Sequence, residues 1–262
     1  MKKLYSAIIA LMTTLAVSAQ STKEYVDLGL PSGTLWATCN VGASKPEEYG
    51  DYFAWGETIP KEAYSNGNYK WYDVEYSTIT KYCIDSRQGS VDNKTELLPE
   101  DDAATANWGS DWCMPSLDQI KELYNSDYTT TEWIIQDEVG RFNGCLITSK
   151  KNGNTLFLPA AGYYYYGKFD DSGCGGYWSR SLSTDGSYGA YRLNLLVRRI
   201  DCVEDGRGYG FSVRPVRSKV ATSINDVADN RKAAKSRKYI SGGNLVIEKG
   251  GKQYNVYGIK TK

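Results

Sequence analysis

The residues able to do chemistry in this chain are unevenly chosen. There is no histidine, against six cysteines and 31 acidic side chains. Without His, a zinc site or a Cys–His nucleophile lacks its usual partner. None of Cys39, Cys83, Cys113, Cys145, Cys174 and Cys202 stands in CxxC spacing. Carboxylates crowd in "PEDDA" (99–103) and "FDDSG" (169–173), but calcium needs roughly six to eight converging oxygens, and short acidic loops are ordinarily just solvated. No metal and no cofactor is expected. No Asp or Glu pair is marked out by its setting as a general acid and base. Tyrosine is the residue in excess, 22 against 5 Phe. It offers a large contact area at small entropic cost and keeps a polar tip, so the chemistry to expect is recognition.

Two stretches concentrate it. In "AAGYYYYGKFDDSGCGGYWSRS" (160–181), side chains on a strand alternate between faces, so four consecutive tyrosines cannot all point inward. Because the run follows the core-like "LFLPA", Tyr163 and Tyr165 are expected inside and Tyr164 and Tyr166 outside. In "STDGSYGAYRLNLLVRRIDCVEDGRGYG" (183–210), Tyr, Asn, Asp, Ser and Arg are mixed, a composition that favours contact hot spots. The candidate ligand contacts are Tyr164, Tyr166, Arg180, Tyr188, Tyr191, Arg192, Asn194, Arg198, Arg199 and Tyr209, with Tyr188, Tyr191, Arg198 and Arg199 joining the outward tyrosines in one patch. Trp36, Trp55, Trp112 and Trp178 are expected in the core, and Arg214 and Arg217 are expected to pair with carboxylates. With 31 basic and 31 acidic residues, no basic surplus exists to favour nucleic acid or an anionic membrane.

These side chains need a scaffold. "EYVDLGLPSGTLWATCNVG" (24–42) reads as two strands around a Pro-Ser-Gly turn, and "GDYFAWGE" as a third. Residues 58–107 lack periodicity and read as long loops with a short helix at most. A clear helix opens at Ser116, where Gln119 completes a capping box and Leu117, Ile120, Leu123 and Tyr124 form an apolar stripe. Beyond Glu132 come a hairpin turning at Asn152-Gly153 and strands at "GYWSRSL", "GAYRLNLL" and "YGFSVRPVR". Few strands, one or two helices and then many strands define an α+β domain. An even cysteine count in an exported chain is compatible with disulfides and equally with small buried thiols.

The ends differ from the middle. "MKKLYSAIIALMTTLAVSAQ" has the positive start, apolar run and small-residue cleavage site of a secretory signal over 1–19, and its apolar run is too short to span a membrane. No other segment reaches the length of a membrane span. Residues 218–238 are charged, small and almost free of aromatics, which reads as a linker, and 239–262 form a short β tail.

The motifs "VDLGLPSGTLWATCNVGASKPEEYGDYFAWGET", "WGSDWCMPSLDQIKEL", "LFLPAAGYYYYG", "GYWSRSL" and "GFSVRPVR", in this order over 24–217, resemble the exported bacterial family called FISUMP, or major paralogous domain. The resemblance implies a C-type-lectin-like fold shared with formylglycine-generating enzymes, with irregular loops and short antiparallel strands. The ending "NLVIEKGGKQYNVYGIK" resembles a shortened sorting segment of type IX secretion cargo. Sugar-binding relatives of that fold hold calcium through Glu-Pro-Asn or Gln-Pro-Asp with Trp-Asn-Asp, and none of these triplets occurs here. Similarly, the cysteine pair of the formylglycine-generating enzymes could correspond only to Cys174 and Cys202, whose surroundings do not match. The resulting expectation is a secreted or cell-surface module, periplasmic if the tail does not sort, that binds an extracellular protein or glycan without calcium. The alternatives are an enzyme of the formylglycine-generating type and a structural interaction protein of the cell envelope. Mass spectrometry of the exported protein should find Gln20 or a near neighbour as its first residue; retention of residues 1–19 would show that the signal is not processed.

Overall fold

A computed structural model describes residues 23–135, 143–170 and 172–218, together with the backbone of three strands between 236 and 254. The signal segment and most of the linker lie outside the described residues. Arg217 ends one compact unit, and Ser218–Lys262 forms a second.

In chain order the elements of the first unit are β1 (Tyr25–Asp27), β2 (Thr34–Ala37), β3 (Tyr52–Phe53), β4 (Tyr72–Asp73), β5 (Thr78–Ile79), α1 (Ala103–Trp108), α2 (Leu117–Tyr124), β6 (Thr129–Ile134), β7 (Gly144–Ser149), β8 (Thr155–Pro159), β9 (Tyr163–Tyr165), β10 (Lys168–Asp170), β11 (Gly175–Leu182), β12 (Gly189–Leu196), β13 (Arg199–Gly206), β14 (Phe211–Ser212) and β15 (Val216–Ser218). The architecture is α+β, mostly short antiparallel strands with two helices. The central sheet runs β13-β12-β11-β14-β3, and three-stranded sheets β6-β7-β8 and β1-β2-β15 and hairpins β9-β10 and β4-β5 stand around it. All its pairings are antiparallel except β11 with β14.

Alternation on the central strands builds two cores. Tyr177 and Trp178 are neighbours on β11 and enter different clusters, as a pleated strand requires. Trp178 joins Phe53, Trp55, Tyr82, Phe211, Met114 and the Ala103–Ala104 start of α1. Tyr177 joins Leu193, Leu195, Ile120 and Leu123 of α2, Ile147, Leu156, Leu158 and Trp36. The four tryptophans expected inside are buried. Two of them lock β3 to β11: the indole N–H of Trp55 donates to the carbonyl of Ser179, and that of Trp178 to the carbonyl of Phe53, both at 2.8 Å.

α2 starts as its sequence dictates. The Ser116 hydroxyl accepts from the Gln119 backbone, and the Gln119 side chain accepts from Ser116 N–H, while Ile120 and Leu123 are buried. The region 58–107 holds the short helix its pattern allowed, α1, which Asp102 caps through Thr105 N–H, and two strands it did not predict, β4 and β5. A single residue from outside ties much of it down. Arg207 is 1% exposed. Its guanidinium donates to the Tyr69 hydroxyl and to the carbonyls of Lys81, Tyr82 and Ser187, and it lies 4.7 Å from the centre of the Trp55 ring.

Three expectations are corrected. β13 was not expected as a strand; it pairs along its full length with β12, from Leu196 opposite Arg199 to Gly189 opposite Gly206. Arg214 is fully buried and donates to Asn40 and to the carbonyls of Ala37 and Thr38 instead of to a carboxylate. Arg217 stacks its guanidinium on the rings of Tyr25 and Trp112. All six cysteines are free thiols. Cys145 lies in the second core, with Cys113 and Cys202 packed against it, where a thiol acts as a small apolar side chain.

In the second unit, β16 (Ser236–Ser241), β17 (Asn244–Lys249) and β18 (Lys252–Tyr254) form an antiparallel meander, so its first strand opens slightly before the expected boundary at 239. Among the described residues no helix is long and apolar enough to cross a membrane.

Arg207→Met should lower the unfolding free energy by about 3 kcal/mol or more, because it strands a buried hydroxyl and several carbonyls without donors. Urea unfolding measures this, and a loss under about 1 kcal/mol would show that other contacts hold the 58–107 region.

Candidate binding face

The tyrosine run folds into the shortest possible hairpin. Tyr163, Tyr164 and Tyr165 pair with Asp170, Phe169 and Lys168, which leaves Tyr166 and Gly167 as a two-residue turn with φ of 46° and 74°. Two successive positive φ values are the mark of a type I′ turn, whose twist matches that of the strands. The first position of such a turn favours Asn, Asp or Gly. Tyrosine there accepts a left-handed backbone that costs roughly 1–2 kcal/mol.

Burial along the run follows distance from the sheet, not parity. Tyr163 stacks on Phe211 at 5.3 Å. Tyr164, expected outside, is half-buried between Tyr52, Tyr64 and Phe169, with ring centroids 5.0–5.2 Å away. Both faces of the hairpin are covered at its base, and β9 is tied there by two backbone bonds between Tyr164 and Gly210. Burial pushes the hydroxyl of neighbouring Tyr64 up to about 12. Tyr165, expected inside, is 46% exposed, and Tyr166 is 60% exposed, because the strand has by then run past the Phe211 side chain. Tyr209 is buried beneath them, 4.6 Å from Tyr165 and 5.6 Å from Tyr166. Burial raises the Tyr209 hydroxyl well above the ordinary tyrosine range.

The Arg and Asn candidates are largely consumed within the fold. Arg192 is buried and donates twice to Asp205 and once to Asn194. Asn194 donates to Asp201, which also receives Arg199. The result is a polar ladder across β12 and β13 that satisfies itself. Arg180 is paired with Glu96 and donates to the Cys113 sulfur. The Tyr191 hydroxyl meets Thr184 at 2.7 Å, and that of Tyr188, 42% exposed, donates to the carbonyl of Ser77. Arg198 is exposed in the β12–β13 turn with φ 64°.

The single patch expected of these residues does not form. Tyr188 precedes β12 and Arg198 follows it, so the strand's eight residues hold them roughly 25 Å apart at about 3.3 Å each. The structure instead gathers an aromatic corner. Tyr165, Tyr166, Lys168, Phe169, Asp170 and Ser172 line a concavity of about 540 Å³. Lys168, Phe169 and Ser172 escaped the sequence reading. The signal that could have found them is the Tyr-Gly pair between residues able to form strands, read as a hairpin turn.

The acidic segments have structural duties. Asp101 receives Lys81 at 2.5 Å and the Tyr82 hydroxyl at 2.7 Å; burial opposes its charge, but these bonds hold its carboxyl below the usual range. Asp170 accepts from Ser172 N–H. Among the described residues no three His, Cys, Asp or Glu side chains converge as a metal site. Burial pushes the Cys145 thiol up to about 11 and raises those of Cys113 and Cys202, away from the reactive thiolate. Cys202 packs with Tyr124 of α2 against the second core, whereas Cys174 lies against Ser172.

Comparison with family models gives no match for this chain, and no curated protein or solved structure matches it significantly.

Tyr166→Asn should leave stability unchanged or raise it by up to about 1 kcal/mol through relief of the turn. Tyr164→Ala should cost about 3 kcal/mol as a large-to-small change among packed rings. Paired thermal or urea melts test the contrast, and a Tyr166 variant as damaging as the Tyr164 one would show that Tyr166 serves the fold.

Proposed function

We propose that this chain is an exported, calcium-independent binding module of the FISUMP type, with a C-type-lectin-like fold, acting outside the cell or on its outer surface. The observation that carries the reading is Tyr166. An exposed aromatic ring sits on a backbone position that disfavours it, next to a second exposed tyrosine, where Asn or Gly would close the hairpin at lower cost. Backbone strain that the fold does not need is a pointer to function, and exposed tyrosines beside a concavity are suited to recognition. The self-satisfied ladder of Arg192, Asn194, Asp201 and Arg199 serves to hold the sheet under this corner, and Arg198 lies away from it.

Surface plasmon resonance with the chain from Gln20 onward, passed over protein and polysaccharide fractions of a bacterial envelope, tests the proposal. One fraction should give saturable binding that a chelator leaves unchanged and that Tyr166→Asn lowers by about tenfold, the equivalent of one lost aromatic anchor. Wild-type binding by that variant would remove the corner from the function, and dependence on calcium would refute the metal-free mode.

A further inference from the structure

We infer that the aromatic corner takes a short, uncharged oligosaccharide; this rests on the binding reading above and names the ligand class for the same site. The first argument is shape. The corner is concave, about 540 Å³, within the range of sites for small ligands of a few rings. A protein partner of ordinary affinity would need on the order of 800 Å² from this side, whereas the exposed rings here belong to one tight hairpin.

The second argument is the arrangement of apolar and polar groups. Tyr165 and Tyr166 stand edge to face at 4.5 Å and 81°, so their ring faces are turned in different directions instead of forming one flat apolar plate. Both rings pack on Tyr209, at 4.6 and 5.6 Å, and each carries a hydroxyl able both to donate and to accept. A pyranose has the matching character, with C–H groups that lie against an aromatic face and a rim of hydroxyls that bond at its edge. A lipid tail would leave those phenols unmatched.

The third argument is charge. Lys168 and Asp170 line the concavity with one charge of each sign, and the Ser172 N–H donates to Asp170 at 2.9 Å. An anionic ligand would meet Asp170 and a quaternary ammonium would meet Lys168. A neutral polyol can bond to both without leaving a charge unpaired.

The experiment uses the chain from Gln20 onward in two arms. In the first, cellohexaose, chitohexaose, laminarihexaose and a β-galactan hexamer are titrated and followed by calorimetry and by tyrosine fluorescence. At least one should bind. Its affinity should fall about tenfold in Tyr166→Asn and in Tyr165→Ser, and by less than about threefold in Tyr166→Phe, which keeps the ring but not the hydroxyl. Lys168→Ala provides an exposed variant that leaves the aromatic packing intact and should also weaken the same sugar. In the second arm a phage-displayed peptide library is selected on the same protein. Peptides that bind through Tyr166 while no sugar binds would overturn the oligosaccharide assignment and keep the recognition site. Sugar binding indifferent to all four substitutions would overturn the assignment to this corner. Failure of both arms, with the folded variants indistinguishable from wild type, would remove both readings.

Discussion

The Arg207 guanidinium is the interaction on which one side of the molecule depends. It carries a full charge into a site that water does not reach, and among the described residues it forms no ion pair. Its charge is met by carbonyl dipoles of Lys81, Tyr82 and Ser187, by the Tyr69 hydroxyl, and by the faces of Trp55 and Tyr69 at 4.7 and 5.3 Å. An isolated buried charge would be prohibitively costly, and only multiple oriented acceptors and ring quadrupoles make it tolerable. The five donors of the guanidinium are fixed in a plane, so the segments that accept them are fixed as well. A region with little secondary structure of its own thereby gains a definite conformation. The Tyr69 hydroxyl passes the constraint on by donating to the carbonyl of Trp55, whose indole in turn holds β11.

What the sequence made legible follows from how local the deciding physics was. The α2 capping box, the Asn152-Gly153 hairpin and the burial of Trp36, Trp55, Trp112 and Trp178 rest on residue type and short spacing. β13 was hidden because "RIDCVEDG" is charged and poor in β-formers. It is an edge strand, recruited by β12 through the Asn194–Asp201 and Arg192–Asp205 bonds, and such cross-strand pairing overrides propensity. The structure of 58–107 was hidden for a related reason, since its organiser is an arginine more than a hundred residues away.

The candidate site was half legible. Tyrosine excess pointed to the right hairpin, but simple alternation misassigned Tyr164 and Tyr165, because parity predicts burial only where one face of a strand meets solvent. Here both faces are packed at the base and both open toward the tip. The arginines were misjudged for a different reason: composition cannot distinguish a guanidinium offered to a ligand from one already spent on Asp205 or Glu96.

Tyr166 and Arg198 both occupy left-handed positions at the tips of two-residue turns, and neither belongs to a core cluster. The backbone at such points prefers almost any small polar residue to the one present, and the strands below are registered by their own ladders. Sequence change at the tips is therefore decoupled from folding. A lineage carrying this domain could exchange the side chain at Tyr166 repeatedly, altering what the corner presents without having to re-evolve the scaffold that displays it.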